Sequence, residues 1–334
     1  MSEAPPSTKR KRVGPDPSEV VLNPDSPPTR SKIWMPYGDI ILQAESTQFR
    51  LNRDVLSRQS SVFRDMFSIP QPPNEPTIEG CPIVHVSDTA KDWELFLGML
   101  YDPFQCGDAL SSDLVAALLR LGRKYEMENS KKNALWRIHY EFPTTLESWT
   151  EVEVGTTKIE SQRGFLVKSL VLAYENGIFT SIPTIGFCCL RDRQLEEILT
   201  DELWSHDGTP VILPDHLKLI LAVAAERIAN FQRDLYEWLE EDAVIPDDTC
   251  TTNAECIKER NVLRRILNFG DNSRRYHSLS SWDSPCEGED WSDGLCEPCA
   301  LAGRTAFDLN RVQFWEALPG FFGLAPWAEL KDLD

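Results

Sequence analysis

The sequence predicts an α+β fold, in which a small sheet with helices is followed by a mainly helical region. Three observations indicate this fold class. Between about residues 38 and 125, short apolar runs of strand length alternate with apolar stripes of helical spacing. From residue 165 onward, most of the apolar pattern is helical. The composition, with 41% hydrophobic and 26% charged residues, is that of a globular protein.

The α/β segment that precedes the helical half is predicted to alternate strands and helices within about 110 residues. Its strands are short and half-buried, and its helices carry apolar stripes. The elements are strands at 39–42 and 48–52, a helix at 55–67, a Pro-rich loop at 70–80, a strand at 83–86, and helices at 93–101 and 114–125. Such an order predicts a small sheet that packs against helices.

The second half is predicted to be mostly helical. Helices are expected at 165–174, 190–204, 215–238 and 257–269. Asp215 is predicted to be the N-cap of the third. The spacing of that helix also resembles a short coiled-coil seam, but we favour a core helix because the pattern lasts only about three heptads. The aromatic end of the chain is expected to pack onto the body.

The N-terminal segment is predicted to be a disordered tail over residues 1–32, because Pro, Ser and charged residues dominate it. It contains the basic cluster Lys9, Arg10, Lys11 and Arg12. A cluster of this kind on an exposed segment is typical of a nuclear localisation signal. A solvated charge run is the alternative.

The charge of the chain restricts the classes of partner. The formal net charge is −19, whereas binding to nucleic acid or to anionic lipid depends on Lys and Arg. We therefore expect neither direct nucleic-acid binding nor membrane binding. No apolar run approaches the roughly 18–20 residues that cross a bilayer, and no signal peptide is evident. We expect an intracellular protein of the nucleus or the cytoplasm.

A specific series of residues links this α/β segment to a known family. A Gly-Asp pair leads the first strand, and the second strand is followed by a helix with Leu, Ser, Phe and Met-Phe. The residues are Gly38, Asp39, Ile40, Leu42, Phe49, Leu51, Arg53, Val55, Leu56, Ser60, Phe63, Met66 and Phe67, and later the strand 83–86, Phe96, Leu97, Leu100, Tyr101, Lys124 and Tyr125. In this order, residues 38–133 resemble a BTB/POZ domain. The whole chain resembles a large fungal group with a BTB unit, a helical second half and a cysteine-bearing C-terminal region.

The resemblance implies a protein-binding module that buries an apolar face, often first against a second copy. The candidate partner-binding residues are Trp34, Tyr37, Asp39, Asn52, Arg53, Val55, Phe63 and Met66. The apolar ones could alternatively belong to the core. In the family, Asp39 and a His after the second strand often mark a charged pocket at the dimer interface. Asn52 occupies the His position here and cannot carry charge.

The partners that the resemblance implies are a second copy of the chain and one of two further classes. A cullin scaffold would make the protein a substrate adaptor for ubiquitin ligation. Nuclear regulators would make it a transcription-linked scaffold without a ubiquitin role. The predicted domains are 36–135 for the BTB/POZ unit, 140–242 for a helical domain, and 243–334 for a cysteine-containing region packed on it.

Two cysteine pairs predict a metal site in the last region. Cys296-x2-Cys299 has metal-knuckle spacing, whereas Cys250-x5-Cys256 is wider than usual. Cys286 or His277 could replace one ligand. Reduced thiols and a disulfide are the alternatives. If zinc is bound, we expect one structural ion that attaches a loop-rich segment with a small hydrophobic core to the helical half.

The sequence carries no motif that predicts catalysis. It lacks G-x-G-x-x-G, the P-loop, H-E-x-x-H and G-x-S-x-G, and its five histidines are scattered. We therefore expect a non-enzymatic protein with no catalytic residues and no required cofactor. A hydrolase within 150–334 remains the alternative.

Overall fold

The fold is described from a computed structural model of the chain. The described residues are 27–69, 76–103, 107–154, 157–200, 203–205, 208–240, 244–269, 276–283 and 291–333. They divide into two compact units, one within 1–53 and 72–90 and the other within 54–71 and 91–334. The basic cluster at 9–12 and Cys286 lie outside the described residues.

The first unit is built on a five-stranded sheet. Its strand order is β1-β3-β2-β5-β4, and β2 pairs antiparallel with β3 and parallel with β5. The strands are β1 (Thr29–Trp34), β2 (Ile40–Ala44), β3 (Thr47–Leu51), β4 (Thr77–Ile78) and β5 (Cys81–Val86). Leu42 on the central strand β2 faces Phe49 on β3 and Val84 on β5, and it is fully buried.

Strand β1 corrects the predicted extent of the N-terminal tail. It begins at Thr29, within the segment that the sequence predicts to be disordered. Its residues are mostly polar, and its order comes from parallel pairing with β3 at the edge of the sheet. Ile33 is the one buried residue of this strand, so its composition gives little sign of it.

The predicted BTB/POZ segment has two helices between β3 and β4 and three more after β5. They are α1 (Arg53–Gln59), α2 (Ser61–Ser68), α3 (Ala90–Tyr101), α4 (Ser112–Lys124) and α5 (Glu128–Glu141). The single helix predicted at 55–67 is therefore two helices. Ser60 separates them, because its side chain accepts a hydrogen bond from the main-chain N–H of Phe63 and so caps α2.

Phe63 lies in the core of the second unit. Only 1% of its surface is exposed. Its ring stacks on Tyr125 at 4.8 Å between centroids and meets Trp93 edge-on at 5.9 Å. This burial corrects the assignment of Phe63 to a partner-binding surface, because a side chain enclosed by its own domain cannot contact a partner without unfolding.

The remainder of the chain is mainly helical in its described part. Its α-helices are α6 (Leu146–Val154), α7 (Phe165–Glu175), α8 (Ile182–Asp192), α9 (Leu195–Leu199), α10 (Asp215–Leu235), α11 (Asn253–Phe269) and α12 (Glu297–Phe321). A two-stranded parallel sheet joins β6 (Leu110–Ser111) to β7 (Ile159–Glu160). Of the described helices, none combines the length and apolarity needed to span a bilayer.

Two helix boundaries differ from those predicted. The predicted helix at 190–204 is instead the end of α8, the short α9, and a bridge between Trp204 and Pro210. Arg193 interrupts it in an extended conformation. Asp215 is the first residue of α10, and Pro214 takes the N-cap position without a side-chain hydrogen bond.

The C-terminal helix α12 packs against α8 and α10. The ring of Phe314 on α12 lies 5.5 Å from that of Phe187 on α8 and 6.1 Å from that of Phe231 on α10. At Gly186 on α8, an added Cβ would lie only 2.3 Å from Phe322. The aromatic end of the chain thus packs on the helical region, as its composition suggests.

The last described residues are fastened to the helices by polar contacts. Asp332 pairs with His139 Nε2 at 2.9 Å and accepts a hydrogen bond from the main-chain N–H of Thr180 at 2.8 Å. Burial acts to raise the pKa of Asp332, but the hydrogen bonds from His139 and Thr180 outweigh it and hold that pKa below its ordinary value. The carboxylate of Asp332 therefore contributes to the attachment of this segment.

We expect Asp332→Asn to lower stability near pH 6.5 by on the order of 0.5–1 kcal/mol, since the pair is partly solvent-screened. The pKa is lower in the folded state, so the contribution of Asp332 is present at neutral pH and is lost as pH falls through that folded pKa. The difference between wild type and variant, measured by urea unfolding, should therefore shrink towards pH 3. Glu329→Gln, an exposed change in the same segment, is the control. A difference that stays constant with pH would contradict this account.

Candidate functional site

The loop between β1 and β2 presents an aromatic side chain to solvent. Tyr37 is 92% exposed. The main chain around it is held in place: Asn52 Nδ2 donates to the carbonyl of Tyr37 at 3.1 Å, and Arg50 Nε donates to that of Gly38 at 2.9 Å. The Tyr37 ring therefore projects from a supported turn.

Asp39 and Arg53 form the second polar feature beside this loop. Asp39 Oδ1 accepts a hydrogen bond from the main-chain N–H of Arg53 at 2.7 Å. Asp39 Oδ2 and Arg53 Nε are 3.9 Å apart, in an exposed ion pair. Asp39 thus holds the start of α1, and Asn52 holds the carbonyl of Tyr37. Asp39 and Asn52, the two residues at the positions of the family's charged pocket, therefore both bind nearby main-chain groups.

Helix α2 carries an apolar stripe on its accessible side. Val62 and Ile69 are 37% and 64% exposed, and Met66 between them is half-buried. These positions are four and three residues apart, so they lie on one face of the helix and its end. On α1, Val55 is also half-buried.

A cleft with an apolar floor lies among α1, α3, α4 and α5. Its volume is about 290 Å³. Its lining is Gln59, Phe96, Met99, Leu100, Pro103, Leu118, Asn129, Ser130 and Asn133. Phe96 and Leu118 are buried, whereas Met99 and Leu100 are half-buried. The polar residues come mostly from the first turns of α5, so amide and hydroxyl groups line one side of an apolar floor.

Four cysteines converge elsewhere in the second unit. The Sγ atoms of Cys250, Cys256, Cys296 and Cys299 all lie within 4.8 Å of one another. Cys250 precedes α11 and Cys256 lies in its first turn, while Cys296 is the N-cap of α12 and Cys299 lies in its first turn. The wide Cys250-x5-Cys256 spacing therefore spans the entry into a helix.

Main-chain N–H groups point at the sulfurs of this cluster. The N–H of Asp247 donates to Cys299 Sγ at 3.3 Å, and the N–H of Cys296 donates to Cys256 Sγ at 3.4 Å. The N–H groups of Thr251 and Cys299 lower the pKa of Cys296 to about 5. By contrast, burial raises the pKa of Cys299 well above its ordinary value. Cys296 is therefore ionised more readily than Cys299.

Comparison with known proteins assigns the first part of the chain. Residues 34–135 match the family model of the BTB/POZ domain. The chain contains a BTB/POZ domain. This match confirms the resemblance of residues 38–133 to a BTB/POZ domain and the predicted fold class, a BTB/POZ domain followed by a mainly helical region. No curated protein matches the chain. BTB/POZ domains are protein–protein interaction modules, and the protein carries this activity class.

The predicted partner-binding residues fall into three groups within the BTB/POZ domain. Phe63 is in the core, as noted above. Tyr37 and Asp39 are exposed, and the side chains of Trp34, Asn52, Arg53, Val55 and Met66 are half-buried. The ring of Trp34 lies under the guanidinium of Arg30, 4.4 Å from its centroid. Whether these residues bind a partner stays a prediction.

Of the two predicted alternative ligands, Cys286 lies outside the described residues, and His277 is not one of the four clustered residues. His277 is buried, and its ring lies 6.0 Å from that of Trp291, edge-on.

Sequence reasoning missed the cleft among α1, α3, α4 and α5 entirely. The apolar stripe of α3 was visible, but its spacing does not distinguish residues that fill a core from residues that line a cleft.

Proposed function

We propose that this protein is an adaptor that binds a cullin-type scaffold through its BTB/POZ domain and thereby serves ubiquitin ligation. The match of residues 34–135 supports the protein-binding activity. A cullin scaffold is one of the two partner classes, besides a second copy, that the family resemblance implies. The observation that carries the proposal on this chain is the cleft of about 290 Å³ in the second unit.

The chemistry of the cleft suits an amphipathic helix. In helix-in-groove recognition, one or two large apolar side chains enter a preformed groove, and polar groups at its edge orient the helix. Met99 and Leu100 provide a half-buried apolar floor here, and Asn129 and Asn133 provide amides at its edge. An apolar anchor seated on this floor would bury apolar surface, and buried apolar anchors are typical interface hot spots.

The cleft alone is too small to be a whole interface. Stable interfaces bury about 800 Å² on each partner. The additional area must come from exposed surface of the domain, and the stripe Val62, Met66 and Ile69 on α2 is apolar and accessible. Residues beyond the BTB/POZ domain would then be available to recognise the substrate.

Self-association is a second part of this proposal. Tyr37 is held on a supported turn and is almost fully exposed, which suits an aromatic contact with a second copy. A molar mass of twice 38.0 kDa by light scattering would support a homodimer.

A nuclear, transcription-linked scaffold without a ubiquitin role is the alternative function. The observation that favours it is the basic cluster Lys9, Arg10, Lys11 and Arg12 in the N-terminal segment. This cluster lies outside the described residues, so it adds no geometry. A substrate adaptor can also act in the nucleus.

We expect Met99→Glu to weaken binding of the full-length protein to a purified cullin N-terminal domain by at least about tenfold, since a carboxylate would be desolvated in the cleft. Isothermal titration calorimetry measures this change. The matched control is Leu219→Glu, which places the same charge on an exposed leucine of α10. Both variants should melt within a few degrees of wild type. Wild-type protein that does not bind the cullin, or a Met99→Glu variant that binds equally well, would contradict the proposal.

A further inference from the structure

We propose that Cys250, Cys256, Cys296 and Cys299 bind one Zn²⁺ ion in a closed structural site. This inference is independent of the proposed function, because it rests on residues outside the BTB/POZ domain. The four residues come from a loop, from the first turn of α11 and from the start of α12.

The distances between the sulfurs fit tetrahedral coordination. With Zn–S bonds of about 2.3 Å, neighbouring sulfurs of a regular tetrahedron are roughly 3.8 Å apart. Cys250 Sγ and Cys296 Sγ are 3.7 Å apart, and every other pair in the cluster is within 4.8 Å. Small movements of the side chains would therefore complete the site. Two disulfides would instead need two bonded pairs at about 2.05 Å.

The surroundings of the cluster are those of thiolates. Two main-chain N–H groups, from Asp247 and Cys296, already donate to sulfurs, and each helix directs its N-terminal end at the cluster. N–H donors and the positive end of a helix both stabilise negative charge on sulfur. These donors are a second observation, separate from the convergence of the four side chains.

The ligand set selects the class of metal. Four thiolates are soft ligands that suit zinc or iron and exclude Mg²⁺ and Ca²⁺, which require oxygen ligands. We choose Zn²⁺ because two converging pairs of cysteines are the common ligand set of a structural zinc site. All four positions are supplied by the protein, so no site remains for water or substrate, and the ion would not be catalytic.

The ion would join segments that are far apart in sequence. Its ligands connect residues 250 and 256, at the start of α11, to residues 296 and 299, at the start of α12. Close to the cluster, Ile245 is fully buried, and its carbonyl accepts a hydrogen bond from Arg260 Nη1 at 2.8 Å. The site would thereby fix the start of α12, whose later turns pack on α8 and α10.

The experiment is a measurement of metal content on the untagged full-length protein, purified without chelators. Elemental analysis should find one zinc per chain in wild type and close to none in Cys250→Ser. Cys81→Ser is the control, because Cys81 is a buried cysteine of the sheet whose Sγ donates to the carbonyl of Gly38, a bond that serine can also make. This control variant should retain one zinc.

A second measurement covers the case in which Cys250→Ser does not fold. Wild-type protein freed of metal is titrated with Co²⁺ alone and followed by absorbance and by the count of reactive thiols. The inference predicts tetrahedral tetrathiolate bands and the protection of four thiols. It is overturned if wild type holds no zinc and takes up no Co²⁺, if Cys250→Ser keeps its zinc, if iron takes the place of zinc, or if mass spectrometry finds the cysteines oxidised to disulfides.

Discussion

Removing the inferred zinc is expected to lower the melting temperature of the full chain by on the order of 10–20 °C. The binding energy of a structural zinc ion is folding energy, because the unfolded chain does not hold the ligands together. A loss of about 5 kcal/mol corresponds to this shift, at roughly 2–4 °C per kcal/mol for domains of this size. Cys256 and Cys299, both fully buried, would be left as uncoordinated thiols.

Scanning calorimetry with and without a chelator measures this effect, and added zinc should restore the original melting temperature. The Cys250→Ser variant is the matched control, since its melting temperature should already be low and should not respond to the chelator. If zinc is demonstrably removed and the melting temperature of the wild type does not change, then the ion does not stabilise the fold.

Phe63→Ala is expected to destabilise the protein by about 3–5 kcal/mol, the usual cost of a cavity left by a buried aromatic ring. The ring is almost fully enclosed and stacks on Tyr125 at 4.8 Å, so the neighbours cannot simply collapse into the space. Urea unfolding of the purified variant measures the loss. The neighbouring Val62→Ala, at a position 37% exposed, should cost less than about 1 kcal/mol.

This result also decides how binding data on Phe63 are interpreted. If Phe63→Ala keeps wild-type stability but loses its partner, then the residue belongs to an interface, as the sequence suggested, and the core assignment is wrong. If it is strongly destabilised, a loss of binding says nothing about contacts. Met99→Glu is for this reason the better probe of the partner surface.

The fold of the BTB/POZ domain could be predicted because its strands and helices carry ordinary apolar periods. Strand β1 could not, since it is a mostly polar edge strand held by main-chain pairing with β3. Helix α8 could not, because its residues from Ile182 to Leu190 are all buried and show no alternation of faces. Helix α12 contains Pro319 and Gly303, which suggest a break that packing overrides.

The candidate sites were predictable to different degrees. The four cysteines are visible as two spaced pairs, but only the fold brings them to within 4.8 Å of one another. The cleft was not predictable. Phe96, Leu97 and Leu100 share one helical stripe, yet Leu97 is fully buried whereas Phe96 and Leu100 line the cleft. Spacing identifies the face of a helix, and tertiary packing decides which part of that face is filled.

The central claim, that this chain is a BTB/POZ adaptor for a cullin-type ligase, is tested most directly by affinity purification from its own cells followed by mass spectrometry. We expect a cullin and its ring-finger partner to co-purify with the wild-type protein and with Leu219→Glu, and to disappear with Met99→Glu. Co-purification of chromatin or co-repressor proteins without any cullin would contradict the claim and would favour the nuclear scaffold.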